Sequence, residues 1–134
     1  MEIREYKVFK EDEIKDLYSS VGWTAYTKDM KSLKMGFLNS LAVLAAYDDG
    51  KLIGVLRAVG DGHTVVFIQD LLVRPEKQRQ GVGTSLVEAV LERFGSVRQT
   101  ELMTDNTTGT AAFYKKLGFS ELSEYGCLGF AKFR

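Results

Sequence analysis

Leu71-Leu72-Val73-Arg74-Pro75-Glu76-Lys77-Gln78-Arg79-Gln80-Gly81-Val82-Gly83-Thr84-Ser85-Leu86 joins two segments of opposite periodicity. Its first residues close a run from Thr64 to Val73 that is rich in β-branched and apolar side chains, as a buried strand is, and Pro75 ends that run. Its last residues open Val82 to Phe94, where Leu86, Val90 and Phe94 recur at every fourth position. Val87 and Leu91 widen that apolar stripe, and Gly95 fits the position just past a helix. Gly81 and Gly83 therefore stand where a strand hands over to a helix. At a helix N-terminus the first four N–H groups lack intrahelical acceptors and the dipole is positive, so a backbone without side chains lets phosphate oxygens approach. The segment reads as a pyrophosphate cradle or as a plain tight turn. The Rossmann pattern fails at Leu86, where a third small residue is needed, and the P-loop fails for want of Gly-Lys-Ser/Thr.

Upstream, Ile3 to Phe9 predicts a strand, and Ile14, Leu17, Tyr18 and Val21 share one helix face before Gly22. A second helix is expected from about Lys28 to Asn39. Ser40 to Tyr47 and Lys51 to Val59 predict antiparallel strands joined by Asp48-Asp49-Gly50, because Asp-Gly supplies the positive φ of a tight hairpin. Gly60-Asp61-Gly62 turns the chain into the central strand. Downstream, Arg98 to Thr104 predicts a strand, Thr108 to Leu117 a helix ended by Gly118, and Phe119 onward a pair of closing strands around Tyr125-Gly126. The order β-α-α-β-β-β-α-β-α-β-β describes a mixed sheet with helices packed on it. A chain of 134 residues suits one domain, 1–134.

Hydrophobic residues at 45% and charged residues at 27% are ordinary globular proportions. The 18 basic and 18 acidic residues cancel, which leaves no net field for a nucleic-acid backbone or an anionic membrane. Cys127 is the only cysteine and has no disulfide partner; His63 is the only histidine and has no thiol or second imidazole for a zinc site. The expectation is no metal, with His63 in a turn and Cys127 as core filler. Met1 to Tyr6 has no apolar core of signal-peptide kind, and no apolar run approaches the roughly 20 residues of a membrane span. A cytoplasmic chain, monomer or homodimer, without nucleic-acid or membrane partners, is expected.

The quoted segment resembles the central motif of the GCN5-related N-acetyltransferases (GNAT), Gln/Arg-x-x-Gly-x-Gly/Ala after a strand ending in apolar-x-Val-x-Pro; Gln78, Gly81 and Gly83 match it. Ala112-Phe113-Tyr114-Lys115-Lys116-Leu117-Gly118-Phe119 is similar to the family's later motif, a helical tyrosine before Leu-Gly-Phe. The resemblance implies an α/β acyl-CoA N-acyltransferase fold: a mixed, mostly antiparallel sheet, about four helices, and a splay between the central strands into which acetyl-CoA enters. It implies that the main chain of Arg79, Gln80, Gly81, Val82, Gly83 and Thr84 holds the pyrophosphate and that Leu72 and Val73 pair with the pantetheine arm. Asn106 is the implied side-chain contact to pantetheine. It lies eight residues before Tyr114 where the family spacing is seven, so Asp105 and Thr107 are alternatives.

Moving an acetyl group from acetyl-CoA to an amine requires a neutral nucleophile, stabilisation of charge on the thioester oxygen, and a proton for the departing thiolate. The resemblance assigns the oxygen to the Val73 N–H and the proton to Tyr114, a phenol protonated at neutral pH. Asp70, three residues before Val73, is the first choice of base, and Glu101 the second; the alternative for Asp70 is a carboxylate that only accepts hydrogen bonds. Trp23, Tyr26, Met30 and Phe37 read as an acceptor pocket or as core. Two further readings are a non-catalytic acyl-CoA-binding module, whose main-chain contacts would outlast the loss of catalytic side chains, and an unrelated phosphate-binding domain, which would leave the tyrosine block a coincidence.

Overall fold

The computed structural model describes residues 1–134. Asp49 and Gly50 both take positive φ, 50° and 75°, a geometry whose twist matches that of the strands it joins. β2 (Ala42–Asp48) therefore folds back on β3 (Lys51–Gly60), with Asp48 opposite Lys51. β1 (Glu2–Glu5) pairs with the outer side of β2, and β4 (Val65–Val73) pairs with β3; both pairings are antiparallel. β5 (Gln99–Leu102) runs parallel to β4, so the order β1-β2-β3-β4-β5 is a mixed, mostly antiparallel sheet. Residues 52–58 of β3 are all buried, which explains an apolar run broken only by Arg57.

Helices cover both faces. α1 (Glu11–Ser20) opens with Glu11, Asp12 and Glu13, whose charges suit the positive end of its dipole, and buries Ile14, Leu17 and Tyr18. The helix expected from about Lys28 to Asn39 is α3 (Met30–Leu38), and a single helical turn that was not expected, α2 (Thr24–Thr27), precedes it. Asp29 restarts the helix by accepting the Ser32 N–H at 3.1 Å, a cap that apolar periodicity does not reveal. Leu33 and Phe37 of α3 join α1 in a core with Val43, Ala45, Val55 and Leu72. α4 (Val82–Arg93) packs on the opposite face through Val82, Leu86, Val87 and Val90. It lies so close to Gly54 that a Cβ there would stand 3.2 Å from the Val82 Cγ1.

α5 (Thr108–Lys116) is capped by Thr107, whose hydroxyl accepts the Thr110 N–H. Met1–Met103, which holds the sheet and α1 to α4, and Thr104–Arg134, which holds α5, are two compact units. The closing strands expected after Phe119 are absent. Leu122–Tyr125 is instead a 3-10 turn closed by reciprocal capping between Glu121 and Glu124 and ended by Gly126 at φ 73°. That local pairing of main-chain groups competes with strand formation, and Tyr125-Gly126 ends a helical turn rather than making a hairpin. Cys127, expected as core filler, is exposed. The first strand stops at Glu5 rather than Phe9, although the Tyr6 N–H still donates to the Val43 carbonyl. No helix is long and apolar enough to cross a membrane.

Candidate active site

β4 leads through a 3-10 turn (Pro75–Lys77) into Gln78, and from there a tight loop enters α4. Arg79 and Gly81 both lie in the left-handed region, at φ 62° and 85°. The first main-chain bond of α4 runs from the Ser85 N–H to the Gly81 carbonyl, and the N–H groups of residues 79–84 donate to no acceptor in the protein. A Cβ built on Gly81 would meet nothing within 4 Å, so the space before these amides is open. The loop itself is pinned. The Gln78 side chain donates to the Val73 carbonyl at 3.0 Å, and the Gln80 side chain to the Glu76 carbonyl at 3.1 Å. Buried Arg74 anchors the strand end through the Leu52 carbonyl at 2.7 Å and Asp16 at 2.7 Å. Six unsatisfied donors at the positive end of a helix form a site for anionic oxygens, built from main chain alone.

Pairing between β4 and β5 covers only Val65↔Gln99 to Ile68↔Leu102, so residues 70–73 of β4 are paired on the β3 side alone. Leu72 and Val73 thus lie on a free main-chain edge that ends at the Gln78 bond. An extended group with amides could add to such an edge as a further strand.

A register shift between β3 and β4 sets Arg57 opposite Asp70 and Ala58 opposite Ile68, leaving Gln69 as the extra residue of a bulge. Asp70 is 2% exposed. Its Oδ2 accepts from the Arg57 Nε at 2.7 Å and the Tyr18 hydroxyl at 2.9 Å, while its Oδ1 accepts from the Tyr26 hydroxyl at 2.7 Å. Burial, then the neighbouring Asp70 charge, pushes the Tyr18 phenol far up. Burial also raises Tyr26, whose hydroxyl accepts the Gln69 amide at 3.2 Å. Tyr18 meets Trp23 and Tyr26 edge-on, with ring centroids 5.9 and 5.3 Å apart. Trp23, Tyr26 and Met30 are partly buried against the core, and Phe37 lies within it. Asp70 thus takes the arrangement of its alternative reading, a carboxylate that accepts hydrogen bonds, here from Arg57 and two phenols. Tyr18 and Arg57 were not among the residues expected at the site. The available signal was a single charge in each of two apolar runs, Arg57 in β3 and Asp70 in β4.

Residues 39–121 match the acetyltransferase (GNAT) domain. The chain belongs to the GNAT acetyltransferase family. A GNAT-family acetyltransferase from Streptococcus pneumoniae superposes with a TM-score of 0.90 at 36% identity, over 99% of this chain and 97% of that one. An uncharacterized N-acetyltransferase from Pyropia yezoensis is 29% identical over 114 residues, which cover 80% of this chain and 63% of the relative. The chain thus spans less than two thirds of the length of that relative. The fold is also that of AAC(6')-Iy, solved in complex with the bisubstrate analogue CoA-S-monomethyl-acetylneamine; the TM-score is 0.77 at 22% identity, over 99% and 97% of the two chains.

Within this GNAT chain the remaining candidates are placed as follows. Tyr114 is half-buried on α5 beside Phe113 and Phe119, at 4.9 and 5.8 Å between centroids; burial raises its phenol, and its hydroxyl makes no hydrogen bond within the protein. Asn106 is exposed in the link before α5. Its neighbours are already engaged: the Asp105 carbonyl accepts from the Thr107 N–H and from the Thr110 hydroxyl. Glu101 on β5 is half-buried and accepts the Gln99 amide at 2.7 Å. His63 is exposed in the turn before β4, where its N–H donates to Asp61. No group of three or more His, Cys, Asp or Glu side chains is placed to hold a metal ion.

Proposed function

We propose that the chain transfers an acetyl group from acetyl-CoA to a primary amine, directly within a ternary complex. The observation that carries this reading is the run of unsatisfied main-chain donors at residues 79–84, connected through the Gln78–Val73 bond to the free edge of β4. A pyrophosphate suits the donors at a helix N-terminus, and a pantetheine arm with its two amides suits the edge. The proposed contacts are Leu72 and Val73 for the arm, Arg79, Gln80, Gly81, Val82, Gly83 and Thr84 for the pyrophosphate, and Asn106 as a further polar contact. The CoA-based ligand of AAC(6')-Iy and the coenzyme A bound to an aminoglycoside 6'-N-acetyltransferase of the same fold support a CoA-type co-substrate.

In this reading the Val73 N–H stabilises charge developing on the thioester oxygen. Tyr114 donates the proton taken by the departing thiolate, and its raised pKa keeps that proton available across the neutral range. Asp70 holds Tyr26 and Arg57 in place, which leaves deprotonation of the acceptor ammonium to Glu101 or to a chain of waters. A cytoplasmic setting suits the single exposed, unpaired cysteine.

Titration calorimetry with acetyl-CoA, followed by a panel of small amines, amino acids, polyamines and peptide termini with detection of released thiol, tests the proposal. Binding with thiol release that depends on the amine is expected. Absence of binding at millimolar acetyl-CoA would overturn the cradle and the function together. Binding without thiol release from any acceptor would leave a non-catalytic acyl-CoA-binding module.

A further inference from the structure

Both ends of the free edge of β4 are fastened to the same helix. Alternation along the strand puts Asp70, Leu72 and Arg74 on one face, and α1 covers that face: Leu72 packs in the core with Ile14, Leu17 and Tyr18. At one end the Tyr18 hydroxyl donates to Asp70. At the other, the Arg74 Nη2 lies 2.7 Å from the Asp16 Oδ2. Residues 70–73 between these ties pair with β3 alone, so α1 supplies the restraint that a second neighbouring strand would otherwise give.

The tie at Arg74 bears directly on the cradle. Arg74 follows Val73 and opens the Pro75–Lys77 turn that leads to residues 79–84. Its N–H donates to the Ile53 carbonyl at 2.8 Å and its Nε to the Leu52 carbonyl at 2.7 Å. The guanidinium is buried, whereas the Asp16 side chain is 67% exposed. A buried guanidinium is costly unless its donors are occupied, so Arg74 is fixed where Leu52 and Asp16 can both receive it. These contacts come from β3 and α1, on the face away from α4, and leave the amides of residues 79–84 free.

We propose that Asp16 and Arg74 are positioning residues for acetyl-CoA. Through the junction between Val73 and the Pro75–Lys77 turn they hold the end of the edge and the start of the cradle in the binding arrangement before the co-substrate arrives, so that binding does not have to order them. The pair makes α1 part of the co-substrate site without touching the pantetheine arm or the pyrophosphate. This inference rests on the proposed placement of acetyl-CoA along Leu72 and Val73 and over residues 79–84.

Titration calorimetry with acetyl-CoA and with coenzyme A on the unaltered chain, Asp16→Glu, Asp16→Lys and Arg74→Met tests it. Asp16→Lys sets a cation against the guanidinium from an exposed helix position, and the Kd is expected to rise about tenfold. Asp16→Glu keeps the charge and should bind as the parent does. Arg74→Met keeps the buried stem and loses both side-chain contacts, with an expected rise of roughly tenfold to a hundredfold. The loss should be equal for acetyl-CoA and coenzyme A, because the tie acts on the junction and not on the thioester; a loss confined to acetyl-CoA would overturn the proposal. A merely structural pair would lower the melting temperature of the free chain and leave the affinity of the folded protein unchanged. Unchanged affinity in folded Asp16→Lys would therefore overturn the positioning role, even if Arg74→Met fails to fold. Absence of binding by the unaltered chain would remove the proposed acetyl-CoA site and this inference with it.

Discussion

Gly81 enters α4 from the left-handed region. At φ 85° any residue with a Cβ sits in the left-handed region at a cost of about 1–2 kcal/mol, and the space before it is open. Gly81→Asp places a carboxylate where the pyrophosphate is proposed to lie, although a helix N-terminus tolerates the charge itself. The expected outcome is a loss of acetyl-CoA affinity on the order of a hundredfold or more, with a small fall in melting temperature; titration calorimetry on folded variant checks it. Gly81→Ala adds the strain without the charge and should lose far less affinity. Tyr114→Phe separates chemistry from packing, since the ring keeps its contacts with Phe113 and Phe119. Turnover should fall on the order of tenfold to a thousandfold while acetyl-CoA affinity holds, because the sulfur gains charge only as its bond breaks. Unchanged turnover, with chemistry shown to be rate-limiting, would return Tyr114 to packing. Gly81 and Tyr114 were legible as candidates because motif spacing alone identifies them. The partners of Asp70 were not legible, since they lie 13, 44 and 52 residues away.

At the scale of elements, the corner between β3 and β4 is organised by one side chain. Asp61 accepts the N–H groups of His63, Thr64 and Val65 at 2.8, 2.7 and 3.1 Å and the Thr64 hydroxyl at 2.6 Å. The hydrogen bond from the Thr64 hydroxyl, followed by those from the three amides, holds the Asp61 carboxyl far below its ordinary range. A folded-state pKa lowered beneath the unfolded value of about 4 gives stability that is complete above that value and disappears as pH falls through the folded value. The melting-temperature gap between the parent and Asp61→Ala should therefore be constant from neutral to mildly acid pH and close only in strong acid. Calorimetry across that range checks it, and a gap independent of pH would refute the Asp61 caps as its source. Element boundaries followed the same logic in the sequence. The Asp49-Gly50 hairpin was legible because its φ demand is local. The single turn of α2 and the 3-10 turn after Glu121 were missed because four residues are too few to show an apolar period.

Across the molecule, Asp70 ties α1, α2, β3 and β4 together through Tyr18, Tyr26 and Arg57. Asp70→Ala leaves the Arg57 guanidinium unpaired at 7% exposure, a cost of about 3–5 kcal/mol against a typical net stability of about 5–15. The urea midpoint should drop accordingly, and Arg57→Met combined with Asp70→Leu should recover much of the loss. Asp70→Asn with an unchanged midpoint and turnover lowered by orders of magnitude would instead give Asp70 the role of base. By itself the sequence determined the strand, glycine turn and helix of the proposed anion cradle, and, apart from the short α2, the order of elements as far as Leu117. Each of these depends on φ preferences, caps and periodicities that act within a few residues. Tertiary structure alone decided that β5 leaves β4 at Ile68 and that Asp70 is a buried partner of Arg57. Pairing between strands is settled by contacts distant in sequence, and a segment of strand-like composition becomes a strand only when an edge is there to receive it.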